Sequence, residues 1–297
     1  STAPDCDFGA CTGTDTLLGV AWRWDSSASG AVAETLSATL YSLENEMTLI
    51  DTGIVKDDSS TTHAFALDDK GKHVMIAEIG DTIQAEKLSG GSCAISTNYC
   101  LTNNGCDAGE ACTPSWVDLG TGGVVHDSGT NGMPSIVIDN GREAAGIENR
   151  GAIYVSWSYT NGDCSATDEN SVDCGIYMKQ LNRSVNNWSW VGSVSTSDDG
   201  ISGHYGQYPH MAVSSKIGAY NYPVVIFRDA DGDDDNLNET SDNNAIQVTH
   251  TTFDGSHTWD GYDSTSGPDQ IAQPTSQKSR VALLCGHREG IPVAAWT

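Results

Sequence analysis

The side chains best placed for chemistry are acidic and clustered. From Asp229 to Glu239 the chain reads Asp-Ala-Asp-Gly-Asp-Asp-Asp-Asn-Leu-Asn-Glu, with Asp229, Asp231, Asp233 and Asp235 at every second position. Such spacing around a glycine can wrap one hard cation in oxygens, whereas bare carboxylates this close repel one another. The glycine stands fourth in the loop and not sixth, so the expectation is a calcium loop that is not an EF-hand, with a solvated acidic loop as the plain alternative. His63, His210 and Arg280 open equivalent segments and could form an anion or metal site with His204 and Tyr205. Metal-binding histidines usually carry helical or hairpin spacing, so hydrogen-bonded polar residues are the expectation there. Glu143 and Glu148 are a glycosidase pair by residue type alone. The seven arginines form no recognisable cluster, and no Gly-x-Ser-x-Gly elbow, His-Glu-x-x-His or phosphate loop is present. No catalytic residue is assigned.

Charge narrows the partners. The 297 residues hold 14 Lys and Arg against 40 Asp and Glu, a formal net charge of −26. Nucleic acid and anionic membrane surfaces both require clustered basic residues, so neither is an expected partner. No apolar run is long enough for a membrane-spanning helix. Insertion into a membrane is not expected.

Nine cysteines point to an oxidising compartment, because their spacing is local. Cys6 and Cys11 fall in an N-terminal segment, residues 1–16. Cys93, Cys100, Cys106 and Cys112 lie in a Gly/Asn-rich insertion, residues 90–115, and Cys164 and Cys174 bracket a polar loop. These eight read as disulfide staples in a secreted or cell-surface protein, and Cys285 as a small buried hydrophobe. Within the insertion, pairing 93 with 106 and 100 with 112 gives a compact knot, but spacing permits three connectivities.

The elements that must carry these loops are strands. Apolar segments are short, rich in β-branched and aromatic residues, and bounded by Gly, Asn, Asp and Ser. One strand pattern recurs at His63, Ser135, His210 and Arg280, about every 72 residues. A second run follows each, at His73, Ala152, Pro223 and Pro292. A third begins at Thr82, Gly175 and Ala245, and a fourth opens on Trp116, Trp188 and Trp259. Four antiparallel strands per repeat predict an all-β chain, a single β-propeller domain over residues 1–297, because radial packing covers both apolar faces of each sheet. Four blades closed by the N- and C-terminal strands are expected. Five blades, one incomplete, are the alternative. Trp157, Trp190 and Trp296 alternate within their strands and read as blade packing.

One segment carries a family resemblance. Thr252-Phe-Asp254-Gly-Ser256-His-Thr258-Trp259 resembles the Asp-box turn, Ser-x-Asp-x-Gly-x-Thr-Trp, of sialidase-like propellers, with Thr for Ser and the glycine one place early. It falls between third and fourth strands, where that family places it. The resemblance implies a fold and no activity, since the Asp-box is structural there.

The termini present a counting problem. Leu17–Trp24 matches the second strand of the repeat, as Val20-Ala-Trp22 parallels Ala294-Ala-Trp296. Thr35–Leu43 and Glu46–Ile54 are further strand-like runs. Ring closure with Arg280–Cys285 as first strand leaves two segments, marked by Leu17, Trp22 and Trp24 and by Ile291 and Trp296, competing for one place. An unpaired strand is a template for edge pairing, and head-to-tail donation that does not close gives a filament. The expectation is an extracellular, non-catalytic structural or adhesive subunit that assembles with itself into a filament or tubule. The alternative is a propeller that binds glycans or hydrolyses glycosides, as sialidases do.

Overall fold

Runs of Val, Ile, Tyr, Trp and Thr separated by turn-forming residues leave the chain little choice but extended pairing, and hairpins between neighbouring runs have the lowest closure cost. The computed structural model describes residues 2–4, 16–24, 34–42, 48–58, 62–67, 73–79, 81–88, 91–95, 99–100, 106–112, 116–138, 153–160, 174–182, 186–190, 206–214, 222–229, 246–251, 259–260, 269–272, 279–283 and 292–296. These residues are almost all strand. The chain divides into two compact units, Ser1–Gly80 with Gln84–Val124, and Asp81–Ile83 with Val125–Thr297.

The first sheet runs β1 (Thr2–Pro4), β2 (Thr16–Trp24), β3 (Glu34–Ser42) and β4 (Thr48–Asp58), in that order and antiparallel. The second is formed by β5 (Thr62–Leu67), β6 (His73–Ile79) and β7 (Thr82–Leu88). A small ribbon, β8 (Gly91–Ser92) with β9 (Tyr99–Cys100), precedes its last strand, β10 (Trp116–Asp118). Alternation is plain here: Val74 and Ile76 on β6, and Ile83 and Ala85 on β7, are buried at every second position. After β10 the chain turns through a short 3-10 segment to β11 (Val124–His126). Gly123 sits in that turn at φ 72°, and a Cβ there would lie 2.9 Å from Asp118 Oδ1. Both its dihedral and its surroundings demand glycine.

The third sheet is β12 (Thr130–Ile138), β13 (Ile153–Thr160), β14 (Cys174–Asn182) and β15 (Asn187–Trp190). The fourth is β16 (Gly206–Ser214), β17 (Tyr222–Asp229), β18 (Ile246–Thr251) and β19 (Trp259–Asp260), with β20 (Asp269–Ala272) also pairing β18. β21 (Ser279–Leu283) and β22 (Pro292–Trp296) pair as a two-stranded ribbon. Three successive repeats therefore fold as four strands in chain order. Their fourth-strand tryptophans are also placed alike, Trp116 opposite Leu88, Trp188 opposite Leu181 and Trp259 opposite Thr251.

Proline sets a shared irregularity. Pro134 and Pro209 stand inside the first strands β12 and β16, and a proline cannot donate to a ladder. Both strands bulge there, between Gly132 and Ser135 and between Gln207 and His210. The residue before each proline is left-handed, Met133 at φ 52° and Tyr208 at φ 54°.

Within the second unit, the third and fourth sheets bury faces against each other. Tyr154, Ile176 and Met178 of β13 and β14 form one cluster with Met211, Val225 and Phe227 of β16 and β17. Across that seam Met211 N–H donates to Ser135 Oγ at 3.2 Å.

The N-terminal sheet holds one strand more than the three N-terminal runs of the sequence pattern. The three-residue β1 supplies the first sheet with a strand of its own, so β2 pairs β1 and β3. The expected closing sheet, with Arg280–Cys285 as first strand and the N-terminal runs as third and fourth, is not among the described pairings. β21 pairs β22, as first and second strands of the repeat.

Candidate functional site

The densest group of aromatic and ionisable side chains lies on one face of the third sheet, where β11 meets β13 and β14. Period-2 alternation puts Trp157 and Tyr159 of β13 on the same side. Pairing of Trp157 with Tyr177 and of Val155 with Lys179 adds two β14 residues to that side. Trp157 is fully buried and Tyr177 nearly so. Tyr159 meets Tyr177 edge-on at 4.4 Å between ring centroids, and Trp157 stacks on Tyr177 at 6.1 Å.

His126, the last residue of β11, closes this aromatic group. Its ring lies 5.2 Å from Trp157, 5.5 Å from Tyr159 and 6.4 Å from Tyr177, parallel to the last within 11°. Lys179 holds β11 in place, its Nζ donating to the Val125 carbonyl. Burial is the main reason the imidazole resists protonation. The Lys179 ammonium adds to this and Asp127 opposes it, leaving the His126 pKa at about 4. Burial likewise lowers Lys179, again opposed by Asp127. Ser128 Oγ lies 3.0 Å from His126 Nε2. With the proton on Nδ1, the hydroxyl donates to a neutral ring.

This arrangement offers one neutral acceptor, one exposed hydroxyl and an aromatic wall. It lacks the two facing carboxylates that glycoside hydrolysis uses; among these residues Asp127 alone is acidic. The aromatic rings are packed under His126 and not presented as an open sugar platform. The constellation was not singled out from the sequence. Trp157 was read as packing, which its burial supports, but only strand register shows that Tyr159, Tyr177 and Lys179 share its face.

Of the residues singled out in the sequence, some lie among the described residues and others outside them. Cys93 and Cys106 form a disulfide. Cys112, opposite Cys93 across an isolated bridge, is disulfide-bonded as well. Glu110 lies beside Cys93 and Cys106, but the two sulfurs bind each other and are not metal ligands. Cys100 ends β9 and Cys174 opens β14, whereas Cys6, Cys11, Cys164 and Cys285 lie outside the described residues. Asp229 is the last residue of β17; Asp231, Asp233 and Asp235 fall outside, as do Glu143, Glu148, His204, Tyr205 and Ile291. Leu17, Trp22 and Trp24 belong to β2, and Trp296 to β22. Trp259 opens β19, and the turn before it, residues 252–258, lies outside the described residues. Among the described residues no helix is long and apolar enough to cross a membrane.

First-strand register brings out an equivalence. His63 faces Ala77, Ser135 faces Ser156, His210 faces Ile226 and Arg280 faces Ala295. Four repeats thus hold the same register at the position proposed for a shared polar site.

No protein-family model matches the chain, and no curated protein does. Among solved structures it is similar to a lysine-to-serine variant of the GH43 protein BlXynB from Bacillus licheniformis. Identity is 12%, the TM-score is 0.39, and the match covers 88% of this chain and 43% of that one. The chain spans less than half the length of that structure, and function is left to the residues themselves.

Proposed function

We propose that this chain is an extracellular, non-catalytic structural subunit of β-propeller design that assembles head to tail with further copies of itself. The propeller reading is supported by four sheets that each hold four strands in chain order, and by the face-to-face packing of the third and fourth. Radial repetition of such sheets covers two apolar faces each. The insertion stapled by Cys93 and Cys106 supports an oxidising compartment.

The observation that carries self-assembly is edge pairing. Among the described residues β22 pairs β21 alone, and β1 covers only Thr16, Leu17 and Leu18 of the nine-residue β2. A two-stranded ribbon is at best marginally stable alone, and open edges recruit strands. Two unlike edges joining between copies make a heterologous contact, which propagates as a fibre when its rotation does not close. Calcium at Asp229, Asp231, Asp233 and Asp235 belongs to the same proposal, as an ion that stiffens a loop outside the cell.

Electron microscopy and sedimentation of the purified protein test the reading. Filaments or tubules are expected from the intact chain. Removal of residues 291–297, or Ala294→Pro with Ala295→Pro, should give a monomer with unchanged far-ultraviolet dichroism. An intact chain that stays monomeric at every concentration, or variants that still form fibres, would defeat it. Hydrolysis of a fluorogenic glycoside by the monomer would favour the carbohydrate-active alternative.

A further inference from the structure

At the seam between the third and fourth sheets, the third sheet sets two serines opposite each other where the fourth sets His210 opposite Ile226. Ser156, on β13, is fully buried. Its Oγ and that of Ser158 are shielded from solvent and have no hydrogen-bond partner among the described residues. The two serines stand two residues apart, on the sheet face that carries Tyr154, Ile176 and Met178 toward β16 and β17. Ser135 faces Ser156 across the β12–β13 pairing, and its Oγ reaches the same seam to accept Met211 N–H.

The chain supplies its own comparison. At the position of Ser156 the other repeats carry Ala77, Ile226 and Ala295, and at that of Ser135 they carry His63, His210 and Arg280. In the fourth sheet the facing pair is therefore His210 with Ile226, and in the third it is two serines. Both serines are smaller than their fourth-sheet counterparts, and the polar groups they offer are hydroxyls. The bulge adds to this: Met133 and Pro134 lie off the ladder between the partners of Ser156 and Ser158, which removes two backbone groups from regular pairing.

The geometry points to a built-in water site, one or two ordered waters bound by Ser156 Oγ and Ser158 Oγ beside Ser135, bridging β12 and β13 to the bulged start of β16. Buried hydroxyls are costly when unbonded, and a buried water typically makes about three hydrogen bonds to such groups. The site is polar and neutral, with no charged side chain among its three serines, so water suits it better than an ion. The bound water would add to the Met211–Ser135 hydrogen bond in linking two sheets that otherwise meet through apolar contacts.

Water-to-protein nuclear Overhauser transfer, with a high-resolution crystal structure of the intact chain, tests this. Expected are long-lived water cross-peaks to β12 and β13 protons, and an oxygen about 2.7–3.0 Å from each of the two hydroxyls. Replacing the pair by its fourth-sheet counterpart, Ser135→His with Ser156→Ile, should abolish those cross-peaks while far-ultraviolet dichroism is retained. Ser156→Val should lower the Tm by about 2–8 °C, by stranding Ser158 and its water. A dry seam, hydroxyls bonded directly to strand carbonyls, or cross-peaks that survive the double replacement would overturn the assignment. Should the variants fail to fold, the cross-peaks of the unaltered protein decide alone.

Discussion

His126 is neutral for a reason that can be titrated. Its pKa moves from 6.5 to about 4 because burial and Lys179 disfavour the imidazolium. Between those two pH values the unfolded chain binds a proton that the folded chain does not. The stability His126 contributes is therefore complete above about pH 6.5 and is lost as the pH falls toward 4. With solvent screening at this half-buried ring, the loss should amount to roughly 1–3 kcal/mol. His126→Gln should flatten that part of the Tm-against-pH curve, and an unchanged slope would show that the ring is not held neutral. Cys106→Ser tests a second local device. The disulfide spans 13 residues, and its loss should cost about 2–3 kcal/mol within the insertion. Limited proteolysis should then cut between residues 93 and 112 and leave the sheets intact.

At the scale of elements, the bulges at Met133-Pro134 and Tyr208-Pro209 have the prolines as their physical cause, and the residues before them share no type. A strand with an internal proline must leave the ladder there, and the left-handed turn accomplishes this in both repeats. Left-handed backbone costs about 1–2 kcal/mol for residues with a Cβ, and most for β-branched ones. Met133→Gly should thus be neutral or slightly stabilising, whereas Met133→Val should destabilise by about 1–3 kcal/mol, both read from denaturant midpoints. Equal effects of the two changes would mean that the dihedral is not what sets the cost. The Asp229–Asp235 loop leaves β17, and its proposed ion gives another element-scale test. Calcium should raise the Tm, chelation should lower it, and Asp231→Asn with Asp233→Asn should remove the difference.

At the scale of the molecule, the strands of three repeats were legible because each contact involved is local. A hairpin needs only alternation and a turn, and both are written in neighbouring residues. Thus His73–Ile79 and Thr82–Leu88 appear as strands with the limits their residue pattern implied. The ends were less legible. A strand of three residues, Thr2–Pro4, carries no periodic signal, yet it supplies β2 with a partner and alters the count on which closure was argued. If assembly proceeds through the edges of β2 and β22, fibre growth should show a critical concentration. An edge-blocking change on either strand should raise that concentration well over tenfold.

The amino-acid sequence alone determined that the chain is built from antiparallel strands, how often they recur, which tryptophans open the fourth strands, and which cysteines sit near enough to be stapled. All of these depend on residues close together along the backbone. Tertiary structure decided what lies across a sheet or between sheets. Examples are His126 over Trp157, Lys179 on the Val125 carbonyl, and Ser135 and Ser156 sharing a seam with Met211. Those meetings join residues tens of positions apart. They depend on strand register and on the face each side chain takes, and a one-residue shift of register would reverse every such face.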